Sequence, residues 1–146
     1  MHRRLKLLVL LTALMASSCV LALASTRHPT LQLRRTSIGT ILVDASGYTL
    51  YAFSKDGRNH DVCAREIACL AVWPALVSSH PTAGAGVKRR LIGTIRVTGV
   101  GRQVTYAGHP LYTYDGDDQP GETAYVNTFQ SGGYWPALDA AGHEVK

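Results

Sequence analysis

The sequence predicts a predominantly β protein: two copies of one β-hairpin repeat packed as one small domain, with one short helix near Cys63–Val72. Two echoes and a composition predict this. Gly47-Tyr48-Thr49-Leu50-Tyr51-Ala52-Phe53-Ser54-Lys55-Asp56 returns as Gly108-His109-Pro110-Leu111-Tyr112-Thr113-Tyr114-Asp115-Gly116-Asp117, an offset of 61 from Gly47 to Gly108. Trp73-Pro74-Ala75-Leu76 returns as Trp135-Pro136-Ala137-Leu138, an offset of 62. Between these runs lie short β-branched and aromatic segments broken by Gly, Asp and Asn, with little helix-forming composition. A third pairing, Ile38-Gly39-Thr40-Ile41 with Ile92-Gly93-Thr94-Ile95, has an offset of 54 and calls for about seven extra residues near Gly99–Gln103.

Residues 1–24 form an export signal, with Arg3, Arg4 and Lys6 ahead of an apolar run from Leu7 to Met15 and small residues after it. A membrane anchor is the competing reading, since Leu5–Ala24 approaches the length of about twenty residues that spans a bilayer. Two processing points compete as well. Ala22-Leu23-Ala24 suits cleavage before Ser25, the favoured reading, whereas Ala16-Ser17-Ser18-Cys19 resembles an imperfect lipobox that would lipidate Cys19. The mature protein is therefore expected in the periplasm or secreted, alternatively tethered through Cys19. Any membrane contact is expected only through the signal or that lipid.

The formal charge of +5 overstates the working protein, because the signal removes three of the 15 Lys and Arg and none of the 10 Asp and Glu. That leaves 12 basic against 10 acidic side chains, or +2. The basic clusters Arg34-Arg35 and Lys88-Arg89-Arg90 lack the interleaved aromatics that stack on bases, so no nucleic-acid partner is expected.

Along the mature chain, residues 25–37 read as a flexible arm, and residues 38–146 as one domain with copy one at 38–77 and copy two at 91–142. Ile41-Leu42-Val43 and Tyr48–Phe53 predict a hairpin around Asp44–Gly47. Cys63 and Cys69 remain as an even pair in an exported chain, which predicts a disulfide. An ideal helix would separate them by about 9 Å, too far to bridge, so Cys63 should precede the helix and fold back. Ser78–Gly86 reads as the joint between copies. Strands follow over Leu91–Thr98, Gln103–Tyr106 and Leu111–Tyr114, and a last hairpin runs from Tyr134–Leu138 to His143–Val145.

The candidate site residues are those of the echoed motif. Tyr51 and Phe53 share a strand face, as do Tyr112 and Tyr114, and Trp73 and Trp135 recur with them. They are expected to form ring pairs between the copies, the sharper alternative being a glycan- or peptide-binding surface near the Gly108 turn. Asp56 and Asp117 end their strands and are expected to accept turn amides. Asp115, Asp117, Asp118 and Glu122 make an acidic loop, but Pro120 stands where a calcium hand needs glycine. His109 lacks the spaced partners of a metal or haem site, and no Gly-x-Ser-x-Gly elbow is present.

The two Tyr-x-aromatic-x-x-Asp runs resemble the signature of a bacterial family of predicted lipoproteins, or secreted repeats of unknown function. Leu42–Gly47, Cys69 followed by Trp73-Pro74, and Val104–Leu111 add to the likeness, which covers about Ile38 to Gly142. The family implies no activity. The expected function is a non-enzymatic envelope module, without cofactor, that binds a glycan or an unknown partner. The alternative is a metal- or redox-linked protein using the acidic loop, His109 or the cysteine pair.

Overall fold

The computed structural model describes residues 28–146. Its first strand, β1 (Leu31–Thr36), lies inside the segment read as a flexible arm, and corrects that expectation. Leu31-Gln32-Leu33 alternates apolar and polar, Leu31 is buried, and Arg34 and Arg35 face solvent, the pattern of a half-buried strand. β1 pairs antiparallel with β2 (Gly39–Asp44), in register from Leu31↔Asp44 to Thr36↔Gly39.

The second copy repeats this hairpin. β3 (Ile92–Val97) pairs with β4 (Gly101–Tyr106) from Ile92↔Tyr106 to Val97↔Gly101, and β5 (His109–Pro110) joins the other side of β4. Leu31 and Ile92, which open the two hairpins, are 61 residues apart, the offset of the tyrosine motif. The pairing of Ile38–Ile41 with Ile92–Ile95 is therefore corrected: the first begins in a turn and enters β2, while the second lies in β3. The apparent gap of about seven residues is the unrecognised strand β1, and the second hairpin loop, residues 98–100, is longer than the first, residues 37–38, by a single residue.

Turn chemistry fixes the registers. Asp44 Oδ1 accepts the amides of Ser46 and Tyr48, Gly47 N–H donates to the Asp44 carbonyl, and the chain turns back along β2. The same device recurs at Asp139-Ala140-Ala141-Gly142-His143, between β8 (Ala137–Leu138) and β9 (Glu144–Val145). The predicted last hairpin is thus shorter than expected, because Gly133–Trp135, β7, pairs instead with β6 (Thr128–Gln130). Ala107 and Gly108 both take positive φ, 52° and 90°, the geometry that lets a two-residue loop join twisted strands.

The helical segment breaks where the cysteines require it. A 3-10 turn, Cys63–Arg65, is separated from the helix α1 (Ile67–Val72) by Glu66 in an extended conformation. That single residue folds Cys63 back, so the Cα atoms of Cys63 and Cys69 stand 5.4 Å apart and the sulfurs are bonded. Among the described residues no helix is long and apolar enough to cross a membrane.

Tyr48–Phe53, expected as a full strand, is an extended segment held by isolated bridges at Thr49 and Tyr51, because its neighbours change from Val43 to Tyr112 and Ala137 along its length, and it divides two cores. Leu50 and Ala52 point into an aliphatic cluster with Leu31, Leu42, Val104, Leu111 and Leu138, while Tyr51 and Phe53 point into an aromatic one with Trp73, Tyr112 and Trp135. Period-two alternation explains the division. Both clusters draw residues from both copies.

Two outcomes follow. Residues 28–86 and 87–146 expressed separately should each fail to give dispersed amide resonances, whereas denaturant unfolding of the whole chain should show coincident tryptophan-fluorescence and far-ultraviolet dichroism transitions. Cys63→Ser should lower stability by about 2 kcal/mol, as the chain-entropy model gives for so short a loop, without abolishing the fold. Chemical denaturation of the variant checks it.

Candidate functional site

The Tyr51 and Tyr112 main chains meet as an antiparallel pair, Tyr51 N–H donating to the Tyr112 carbonyl (2.9 Å) and Tyr112 N–H to that of Tyr51 (3.0 Å). On either side the tryptophan segments add, each to the tyrosine strand of the other copy. Ala52 N–H donates to the Pro136 carbonyl, and Thr113 N–H to that of Pro74. Four segments therefore lie side by side, alternating in origin between the copies, about a local two-fold relation.

The side chains follow the same exchange. The Tyr51 hydroxyl donates to Asp117 (3.0 and 3.2 Å to the two oxygens), and the Tyr112 hydroxyl to Asp56 Oδ2 (2.7 Å). Each tyrosine thus binds the aspartate of the other copy. The motif spacing places every tyrosine and aspartate at the same point of its own unit, so the exchange is the same in both directions.

The rings complete the site. Trp73 and Trp135 stack face to face, centroids 3.9 Å apart and planes within 2°. Phe53 stacks on Trp135 at 4.2 Å and Tyr114 lies over Trp73 at 4.3 Å, so each outer ring covers the indole of the opposite copy. Tyr51 meets Trp73 edge-on, and Tyr112 meets Trp135 likewise, at 5.1 and 5.2 Å. Such pairs contribute about 0.5–1.5 kcal/mol each beyond the area they bury. Both indole N–H groups donate to one residue, Trp73 to the Gln130 side chain and Trp135 to the Gln130 carbonyl. Tyr51, Tyr112, Trp73 and Trp135 are each fully buried, so these aromatics are core and form no open surface.

Burial sets the electrostatics. It pushes the Asp56 carboxyl up to about 6, although the Val62 amide and the Tyr112 hydroxyl oppose it. It pushes Asp117 up to about 6 as well, against the Tyr51 hydroxyl and with Glu122 and Asp118 adding to the rise. Burial, followed by the facing aspartate, holds both tyrosine hydroxyls far above the usual phenol range. Asp61 and Glu122, again 61 apart, are the second carboxylate beneath each tyrosine. The sequence reading did not single out Asp61, and the constant offset from Glu122 is the signal that marks it.

Of the expected turn roles, Asp56 partly fits, since its Oδ1 accepts the Val62 amide. Asp117 instead points inward. The acidic loop uses its carboxylates on its own chain: Glu122 Oε2 accepts the amide of Asp118, Asp117 accepts the Tyr51 hydroxyl, and Asp115 is exposed. Among the described residues no three His, Cys, Asp or Glu form a metal-holding group. His109 pairs with Tyr106 in the β4–β5 ladder, and Cys63 and Cys69 are buried against the aromatic core. Cys19 and Ser25 lie outside the described residues.

A family described as a secreted repeat of unknown function matches residues 33–77 and 94–139, the two copies in register at an offset of 61 between their starts. The chain belongs to this family. Its doubled unit is the pair of interlocked copies described above, and the family's description as secreted accords with an exported chain. No curated protein and no solved structure matches the chain.

The raised carboxyls carry a pH dependence with a definite sign. Asp56 and Asp117 keep their protons to about 6 in the fold and to 3.8 ordinarily. Between those values the folded state binds more protons, so their protonation favours folding and that contribution is lost as pH rises through about 6. Asp139 runs the other way, because turn amides led by that of His143 overcome its burial and hold it low. The difference between variants is therefore the clean observable. Stability measured from pH 4 to pH 8 (about the span of these titrations) should fall less steeply in Asp56→Asn and in Asp117→Asn than in the parent, and least in the double variant.

Proposed function

We propose that this exported protein is a non-enzymatic envelope module whose interlocked aromatic core is scaffold and whose binding face is the β6–β7 hairpin. The observation that carries this reading is a contrast in exposure. Five of the six motif aromatics are buried and Tyr114 is half-buried over Trp73, yet Phe129 and Tyr134 stand 63% and 50% exposed as a cross-strand pair. Their rings meet edge to face at 5.1 Å. Large exposed rings beside polar groups mark contact sites more often than isolated apolar residues do.

The hairpin is anchored to copy one at Ser54 and Lys55. Ser54 Oγ accepts the Tyr134 amide, Ser54 N–H donates to the Tyr134 carbonyl, and the Lys55 amino group lies against Gly132 at the tip. Aromatic faces beside an ammonium and the Gln130–Ser131 polar groups suit the mixed apolar and hydroxylated face of an envelope glycan. The metal- or redox-linked alternative has less support: the disulfide is buried where a redox partner would have to reach it, and the two inner carboxylates of the acidic loop are already engaged, Asp117 by the Tyr51 hydroxyl and Glu122 by the Asp118 amide.

Cosedimentation with purified peptidoglycan sacculi tests the reading. Parent protein should pellet with the sacculi, and Phe129→Ala and Tyr134→Ala should each stay in the supernatant while keeping stability within about 0.5 kcal/mol, as surface substitutions do. Parent protein left in solution, or variants that still pellet, would sink the proposal.

A further inference from the structure

β3 has one ladder partner. Its six residues pair with β4, and from Ile92 to Arg96 no backbone group has a hydrogen-bond partner on the outer side among the described residues. The equivalent edge of β1 is occupied at its start, where Leu31 N–H donates to the Thr82 carbonyl and Gly84 N–H to that of Leu31. A strand edge with free donors and acceptors is a template for another extended chain.

Two concavities take part of their lining from β3. One, of about 320 Å³, is walled by Ile95–Thr98 and by the loop Asn59–Arg65 that the disulfide shapes. The other, of about 260 Å³, involves Ile92–Thr94 with Ser79, Pro81 and Arg89. Together they follow the whole strand. Free backbone with side-chain hollows beside it is the arrangement by which sheets take up extended peptides.

Charge selects among such peptides. Arg65 and Arg96 line the first hollow and Arg89 the second, and none of the three forms a salt bridge among the described residues. Arg65 Nη2 instead contacts His60 Nε2 at 2.9 Å. The one carboxylate present, Asp61, is turned inward, with Oδ1 accepting the Ala64 amide and Oδ2 buried. Arginines on and beside an edge strand repel a basic chain, would be left buried and unpaired by a neutral one, and leave an acidic chain as the exception.

We propose that β3 docks an extended, acidic segment of a partner protein, which adds as an outer strand and sets its carboxylates against Arg65, Arg89 and Arg96. This surface is independent of the β6–β7 hairpin, so failure at either leaves the other standing.

The test uses the whole chain and a fluorescently labelled peptide of alternating glutamate and valine. Saturable binding should appear in anisotropy, weaken about tenfold or more in Arg96→Glu, as reversing a charge beside a bound carboxylate does, and fall with added salt. In the isotopically labelled parent, amide resonances of Ile92–Thr98 should shift. A second peptide, with proline replacing each valine, keeps the charge but cannot pair as a strand, and it should bind far more weakly. The proposal is overturned by absence of saturable binding below about 1 mM, by equal binding of the proline peptide, which would mean charge alone, or by shifts confined to residues away from β3.

Discussion

Everything in this molecule hangs on one reciprocal contact, the pair of main-chain hydrogen bonds that Tyr51 and Tyr112 give each other. It sets the two copies antiparallel and fixes their register. Because strand side chains alternate, it also decides which residues enter which core: shifting either strand by one residue would send its tyrosine into the aliphatic cluster and bring its leucine, Leu50 or Leu111, among the indoles. The hydroxyl–carboxylate bonds and the indole stack are consequences of that register. They also make it expensive to leave, since each tyrosine displaced would strand a buried aspartate without its donor.

The two copies reach this arrangement with different supports. Copy one braces its aspartate with a loop closed by a disulfide, in which Asp56 takes the Val62 amide and Asp61 the Ala64 amide. Copy two has no cysteine there. It uses Glu122 to tie its own loop at Asp118, and the loop reaches back to the first turn through Gly121 N–H and the Gly47 carbonyl. Asn59 N–H does the same for Gly108 in the opposite direction. Covalent closure and a carboxylate–amide clasp thus serve the same end: they hold a loop against the turn of the other copy.

Much of this was legible in the residues. The echoed motif located the two equivalent turns at Gly47 and Gly108, the Asp44–Gly47 turn followed from its own chemistry, and the reach of a disulfide required the break that Glu66 supplies. β1 was missed because only Leu31 and Leu33 are apolar in it and Arg34 and Arg35 face water, so its composition resembles a tether. Extending the offset of 61 upstream of the motif would have found it. The exchange of partners could not be read at all. A repeat says that two tyrosines and two aspartates hold equivalent places, and equivalence is the same whether each hydroxyl bonds within its copy or across. Gln130 was invisible for a different reason, since it has no echo and acts only where the two indoles happen to meet.

The local two-fold relation has a consequence for how such a chain could grow. Reciprocal contacts are closed: what the first copy offers the second is what the second offers the first, and once both are satisfied no complementary surface of that kind is left over. The geometry is that of an isologous dimer whose halves have been joined through the segment around Ser78–Gly86. Repeats that stack head to tail can be lengthened one unit at a time, but this kind counts in pairs. A related chain with an odd copy would carry one unmatched tyrosine strand and one bare indole, and could hide them only against a second molecule.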